Sequence, residues 1–252
     1  MVASMSGLKV GFIGDTHCDP NHDKHLRRFT DMGKFLAPED CDVICQVGDW
    51  YDMPSITDHR GRLEGEGDRY HRDIEVGNDA LSQFMRPFRE RKKRMPHFIF
   101  LVGNHEYRIE RYVQQNPRMA GKVGLHDMAF DKWGWEVVPF GRFREIGGFY
   151  CTHHILGKAG RAISIGPTFT KRGVSMVVGH THEARHIKLP RQNGYTHGLD
   201  VGCLTKKGYA AAEDWSSPNE HSTWRGLHIL DGVKDGDYKE YREVKAEVFT
   251  SE

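Results

Sequence analysis

Short apolar runs recur along the chain and each stops abruptly: KVGFIG (9–14), DVICQVG (42–48), HFIFLVG (97–103), FYCTH (149–153) and SMVVGH (175–180). GLDVG (198–202), LHILD (227–231) and YKEYREV (238–244) follow. Runs of this length, rich in β-branched and aromatic residues and bounded by glycine or polar groups, predict strands. Between the early runs, apolar residues fall at helical spacing. Leu26, Phe29, Met32 and Phe35 form one set; Ile74, Leu81, Phe84 and Phe88 form another, with Pro87 a candidate bend. Strands alternating with helices predict βαβ units and a largely parallel sheet near the N-terminus. The closing third, with closely spaced strands and glycine-rich turns, reads as antiparallel. The pattern fits an α/β protein with two stacked sheets and helices outside.

The polar residues that stop these runs change the picture. Asp15 and His17 follow the first, Asp49 the second, and Asn104 and His105 the third; His153 ends the fourth, and His180 and His182 the fifth. An Asp after a strand commonly caps the next helix. Five successive runs ending in metal-type donors are more than capping requires, and the carboxyl ends of parallel strands are where α/β folds place their sites. Carboxylates bring negative charge and can bridge two cations, neutral imidazoles offer nitrogen, and an Asn carbonyl adds oxygen without charge. The set holds no cysteine, which argues against a closed structural zinc site. The eight side chains named are too many for one ion and suit two held about 3.5–4 Å apart, as in two-metal hydrolases. That arrangement predicts phosphate-ester chemistry.

Composition narrows the partners. The 252 residues carry 36 Lys and Arg against 35 Asp and Glu, so no global field announces nucleic acid or membrane. No linker or repeat divides the chain, which reads as a single domain over 1–252. No apolar run approaches a membrane span, and the start MVASMSGLKV lacks the features of a signal peptide, so the expected compartment is the cytoplasm. Cys18, Cys41, Cys45, Cys151 and Cys203 show no C-x-x-C pair and are expected as free thiols. The unusual count is histidine, at sixteen.

Five motifs stand in order: GDTH (14–17), GDWYD (48–52), GNHE (103–106), THH (152–154) and GHTH (179–182). Together they resemble the calcineurin-like metallophosphoesterases, whose pattern runs D-x-H, G-D-x-x-D, G-N-H-E/D, a lone His, then G-H-x-H. The resemblance implies a four-layer α/β/β/α sandwich with two stacked mixed sheets flanked by helices. It also implies two divalent transition-metal ions, Mn2+ foremost, with Fe, Zn or Ni also able to occupy such donors. Asp15, His17 and His182 would hold one ion, Asn104, His153 and His180 the other, and Asp49 would bridge both. Strand alternation would turn only one of His153 and His154 to the site, and the resemblance favours His153. His105 would contact phosphate and protonate the leaving oxygen, with Asp52 orienting it. Within the family, DMPS (52–55), DRYHRDIE (68–75), WEVVPF (135–140) and WRG (224–226) are similar to phage-encoded phosphoesterases. Two departures stand out. Met53 occupies the place of an Arg in protein Ser/Thr phosphatases, and Asp52 that of a His in the family's double-strand-break nucleases.

The implied activity is hydrolysis of phosphomonoesters or phosphodiesters by in-line attack of a metal-bridging hydroxide, with His105 as general acid. The expected partner is a phosphate-ester substrate, nucleotides and nucleic acids included, and no membrane. One alternative is a nuclease acting on DNA or RNA. It would use the basic run RPFRERKKR (86–94), or Lys158, Arg161, Lys171 and Arg172 in the glycine-rich segment 157–173. Another is a non-catalytic protein-binding scaffold. Family members of that kind lose several ligands, whereas all seven stand here.

Overall fold

The computed structural model describes residues 7–21, 23, 25–57, 67, 69–157, 162–163, 165–206 and 223–250. In chain order its strands are β1 (Leu8–Ile13), β2 (Val43–Gln46), β3 (His97–Leu101), β4 (Glu136–Val138), β5 (Arg144–Ile146), β6 (Phe149–Cys151), β7 (Ile155–Leu156), β8 (Ala162–Ile163), β9 (Ser175–Val178), β10 (Ala184–Arg191), β11 (Gly194–Val201), β12 (Gly226–Val233) and β13 (Glu240–Lys245). The α-helices are α1 (Arg27–Leu36), α2 (Tyr70–Glu90), α3 (Asn104–Gln115) and α4 (Ile165–Arg172).

Period-two alternation along the strands sorts their side chains into three cores. Ile13, Ile44, Phe98 and Phe100 face outward from the first sheet onto Phe29, Met32 and Leu36 of α1 and Leu81, Phe84 and Phe88 of α2. Their neighbours Val10, Phe12, Val43, Cys45, Ile99 and Leu101 face the other way, onto Phe149, Cys151, Val177, Leu199 and Val201 of the second sheet. Met176 and Val178 turn from that sheet onto Ile165 and Phe169 of α4. Three cores between four layers make an α/β/β/α sandwich, as expected.

The first sheet runs β13-β12-β1-β2-β3-β4 and the second β10-β11-β9-β6-β5, with β7 and β8 a separate pair. From β1 to β4 the pairing is parallel, and β12 joins β1 antiparallel. The antiparallel reading of the closing third holds for β10 with β11 and β12 with β13, whereas β11 pairs parallel with β9. Both sheets are therefore mixed. α1 starts one residue later than its apolar spacing predicts, since Leu26 is left-handed at the cap (φ 49°). α2 runs through Pro87. All five cysteines are free and buried. Among the described residues no helix is long and apolar enough to cross a membrane.

Phe149 is completely buried between the sheets. Phe149→Ala is expected to lower unfolding stability by about 3–5 kcal/mol, the usual loss for a buried phenyl ring. Denaturant titration checks this; a shift below about 1 kcal/mol would show that the sheets do not depend on packing at that ring.

Candidate metal centre

The loops that follow β1 and β2 are zipped together by their backbones. Thr16 and His17 donate to Asp49 O at 3.0 and 2.9 Å, Cys18 to Trp50 O at 2.7 Å, and Asp52 back to Cys18 O at 3.0 Å. Gln46 clamps the same place, donating through Nε2 to Gly48 O at 2.8 Å and Gly14 O at 3.3 Å while Oε1 accepts Gly48 N–H at 2.7 Å. This pairing sets Asp15 and His17 beside Asp49 and Asp52. From the second sheet, the segment after β9 docks on it: Gly179 N–H donates to His153 O at 2.8 Å, and His180 N–H to the Asp15 carboxylate at 3.1–3.2 Å. Four expected ligands, His17, Asp49, His180 and His182, hold positive φ of 43°, 53°, 74° and 59°. Such backbone costs about 1–2 kcal/mol per residue, and strain of this kind gathers at functional sites.

The side chains meet at short range. His17 Nδ1 donates to Asp52 Oδ1 at 3.0 Å, which turns its Nε2 toward His182 Nε2 at 3.1 Å; that nitrogen lies 3.3 Å from Asp15 Oδ2. His153 Nδ1 donates to Val47 O at 2.8 Å, which turns its Nε2 onto Asn104 Oδ1 at 2.9 Å and Asp49 Oδ2 at 3.2 Å. Donor atoms of Asp15, His17 and His182 lie within 4.8 Å of one another, as do those of Asp15, Asp49 and His153, and those of His153, His154 and His180. His105 Nδ1 donates to Asp52 O at 2.6 Å, with Asp52 Oδ1 3.0 Å away, and its backbone N–H donates to Asp49 Oδ1 at 2.9 Å.

Charge explains why these groups tolerate burial. Burial disfavours the carboxylates of Asp15 and Asp49, but His153, with His182 at Asp15 and His105 at Asp49, outweighs it and holds both below the usual range. Burial likewise opposes Asp52, whose bonds from His105 and His17 keep it ionised. Burial opposes the charged form of His153, yet Asp49 and Asp15 push it up to about 10. Burial and then the neighbouring His153 bring His180 down to about 4, and burial with His105 lowers His17. For His105, burial is outweighed by Asp49 and Asp52, and the ring is raised.

The donor set fits divalent cations. Two buried carboxylates need positive charge, and ring nitrogens 3.1 Å apart match the spacing of about 3.3 Å between ligands on one tetrahedral ion. The carboxylate on the far nitrogen of His17 and the carbonyl on that of His153 are the supports that metal-binding imidazoles use to fix their tautomer.

All seven expected ligands, with His105 and Asp52, thus lie at one place. His154 comes with them, against the alternation argument, because β6 ends at Cys151 and the THH segment is already past the strand. Its ring sits 4.6 Å from that of His180, and its buried Nδ1 has no hydrogen-bond partner. The basic run lies elsewhere. Arg91 and Lys93 pair with Asp40 and Arg94 with Asp42, at the N-terminal end of β2, opposite the site. Lys171 and Arg172 are exposed on α4, and Lys158 and Arg161 lie outside the described residues.

Two residues that shape the site escaped sequence reasoning. Glu106, fully buried, accepts the backbone N–H groups of Tyr51, Gly103 and Asp49 at 2.8, 2.9 and 3.1 Å, tying the loops after β2 and β3 together. Burial and the adjacent Asp49 push its carboxyl up to about 7. Arg108, one turn along α3 from His105, donates to Asp52 O at 2.7 Å and lies 3.1 Å from His105 Nε2. Glu106 had a signal, the last letter of G-N-H-E, whereas only the helical spacing of 105 and 108 pointed to Arg108. Gly103 is required by the same packing, since a Cβ there would collide with the Asp49 carboxylate.

Comparison with known proteins gives a family. The family model described as calcineurin-like phosphoesterase matches residues 8–211. No curated protein matches the sequence. Among solved structures, wild-type Vps29 from Entamoeba histolytica complexed with zinc is similar at 13% identity and a TM-score of 0.41, over 95% of this chain and 99% of that one. Vacuolar protein sorting 29 from Cryptosporidium parvum is similar at 16% identity and 0.43, over 95% and 98%.

Until a cation binds, burial and their neighbours would hold His17 and His180 neutral, whereas His153 would carry a proton on each nitrogen. A cation taking Nε2 of His153 must expel that proton at any pH below about 10. Affinity should therefore rise by about tenfold per unit between about pH 7 and about pH 9, with about one proton released. Calorimetry in buffers of different ionisation enthalpy measures this; affinity flat with pH would contradict a protonated His153 as ligand.

Proposed function

We propose that this chain, which belongs to the calcineurin-like phosphoesterase family, is a two-metal hydrolase of phosphomonoesters or phosphodiesters. The observation that carries this is the position of Asp49, whose Oδ2 lies 3.2 Å from His153 Nε2 and 3.8 Å from His17 Nε2, between the two donor groups. Asp15, His17 and His182 would hold one cation and Asn104, His153 and His180 the other, with Asp49 shared. Mn2+ is the first expectation for both, with Fe, Zn or Ni as alternatives. Bound there, such ions supply an activated water and neutralise charge on the phosphoryl oxygens.

The chain's own groups do the remainder. Asp52 accepts from His17 at its carboxylate and from His105 at its backbone carbonyl, so one residue fixes a ligand and the acid together. With Nδ1–H committed to Asp52 O, His105 presents Nε2 to the site, 3.9 Å from Asp49 Oδ2. From there it delivers a proton to the departing alkoxide. A nucleic-acid strand gripped by residues 86–94 would lie at the opposite end of the first sheet, which favours compact phosphate esters, nucleotides among them, over long polymers. The narrower likeness to phage-encoded phosphoesterases, carried by DMPS, WEVVPF and WRG, belongs to the same proposal.

His105→Gln is expected to keep its metal and lose about 10²–10⁴-fold in rate on an alkyl phosphate, whose leaving group needs the proton. On an activated aryl phosphate the loss should be smaller. His180→Ala should deplete an ion and damage both reactions alike. Matched steady-state rates beside metal analysis check this; equal losses for His105→Gln on both esters would remove His105 as the acid.

A further inference from the structure

In a site built for phosphate, the anion needs a fixed cationic partner, and the obvious positions do not provide one. Residue 53 is a Met. At the N-terminus of α3 two amides are already taken, Gly103 N–H by Glu106 and His105 N–H by Asp49. Positive charge beyond that of the proposed cations has to come from a side chain.

Arg108 meets that need. Asn104, His105 and Arg108 occupy positions i, i+1 and i+4 of α3, so the guanidinium returns to the turn that presents Asn104 and His105. Its Nη1 donates to Asp52 O at 2.7 Å and lies 3.5 Å from Met53 O, so it is anchored on the backbone of the residue whose side chain lacks the charge. Its Nη2 reaches His105 Nε2 at 3.1 Å, the atom that faces the site. The side chain is half-buried, and among the described residues no carboxylate pairs with it. A guanidinium fixed on carbonyls, without a counter-anion and against the proposed acid, is arranged for an oxyanion that arrives from outside.

We propose that Arg108 is the phosphate clamp of this site, binding non-bridging oxygens of the substrate phosphoryl group in place of the arginine absent at position 53. The inference rests on the phosphoesterase function proposed above and deepens it. With phosphate absent, Arg108 donates to His105 Nε2, which then carries no proton. An arriving phosphate draws the guanidinium onto its own oxygens, and the released Nε2 takes up a proton from solvent, the one it then delivers to the leaving oxygen. Because a phosphomonoester dianion offers more charge and one more free oxygen than a diester, the clamp favours monoesters.

The test uses the full-length, metal-loaded protein, with inorganic phosphate as the probe. Arg108→Met keeps the length of the side chain without its charge, and Arg108→Lys keeps the charge without the fork. Calorimetry should show phosphate binding weakened by about 10–100-fold in Arg108→Met, the worth of a charge-assisted pair, with less than full recovery in Arg108→Lys. Metal content and thermal midpoint should match the wild type. KM should rise more for a phosphomonoester than for a diester. Unchanged phosphate affinity in a folded, metal-loaded Arg108→Met would overturn the clamp. So would a fall in kcat with unchanged phosphate affinity, which would leave Arg108 as a support for His105. A wild type that neither binds phosphate nor cleaves any ester would instead remove the phosphoesterase function, and the clamp with it.

Discussion

Two carboxylates, Asp15 and Asp49, are almost wholly buried at the ends of neighbouring parallel strands, and much of this structure is arranged around their charge. Ionised groups are costly inside a protein unless compensated, and removing one partner of a buried pair typically costs about 3–5 kcal/mol. The positive groups facing these two among the described residues are imidazoles rather than Lys or Arg. His153 can compensate with a proton, donating to Asn104 Oδ1 and standing against both acids. Divalent cations would do so with more charge and with every donor turned toward them.

That requirement accounts for features with no evident benefit to the fold itself. The left-handed backbone at His17, Asp49, His180 and His182 costs stability and aims side chains that a relaxed loop would turn away. Gln46 and Glu106 spend buried polar groups on holding loops together, and Glu106 does so despite burial beside Asp49. Asp52 holds two rings, His17 on its carboxylate and His105 on its backbone carbonyl. Three apolar cores keep the strand ends rigid enough for side chains from both sheets to meet within hydrogen-bonding distance.

Much of this was legible in the sequence because strand periodicity and site placement share one cause: a parallel strand buried on both faces ends where its apolar run ends, and the next polar residue is the one exposed to the crevice. Hence Asp15, Asp49, Asn104 and His153 could be picked out in order. What escaped was non-local or unpatterned. β10 is an edge strand, mostly exposed, so ARHIKLPR shows no buried face to read. α3 begins within the GNHE motif, whose polar residues mask a helix start. β12 returns to pair with β1 across the length of the chain, a partnership periodicity cannot reveal. Glu106 and Arg108 matter through groups contributed by the loop after β2, far away in sequence.

The central claim is that Asp49 is shared by two cations. Elemental analysis of protein purified without chelator, in the wild type and in Asp49→Asn, tests it most directly. A bridging carboxylate replaced by a neutral amide loses charge at both ions, so the expected result is about two transition-metal ions per chain in the wild type and depletion of both in the variant. Full metal content in Asp49→Asn, or a wild type that never exceeds one ion per chain, would contradict the shared centre.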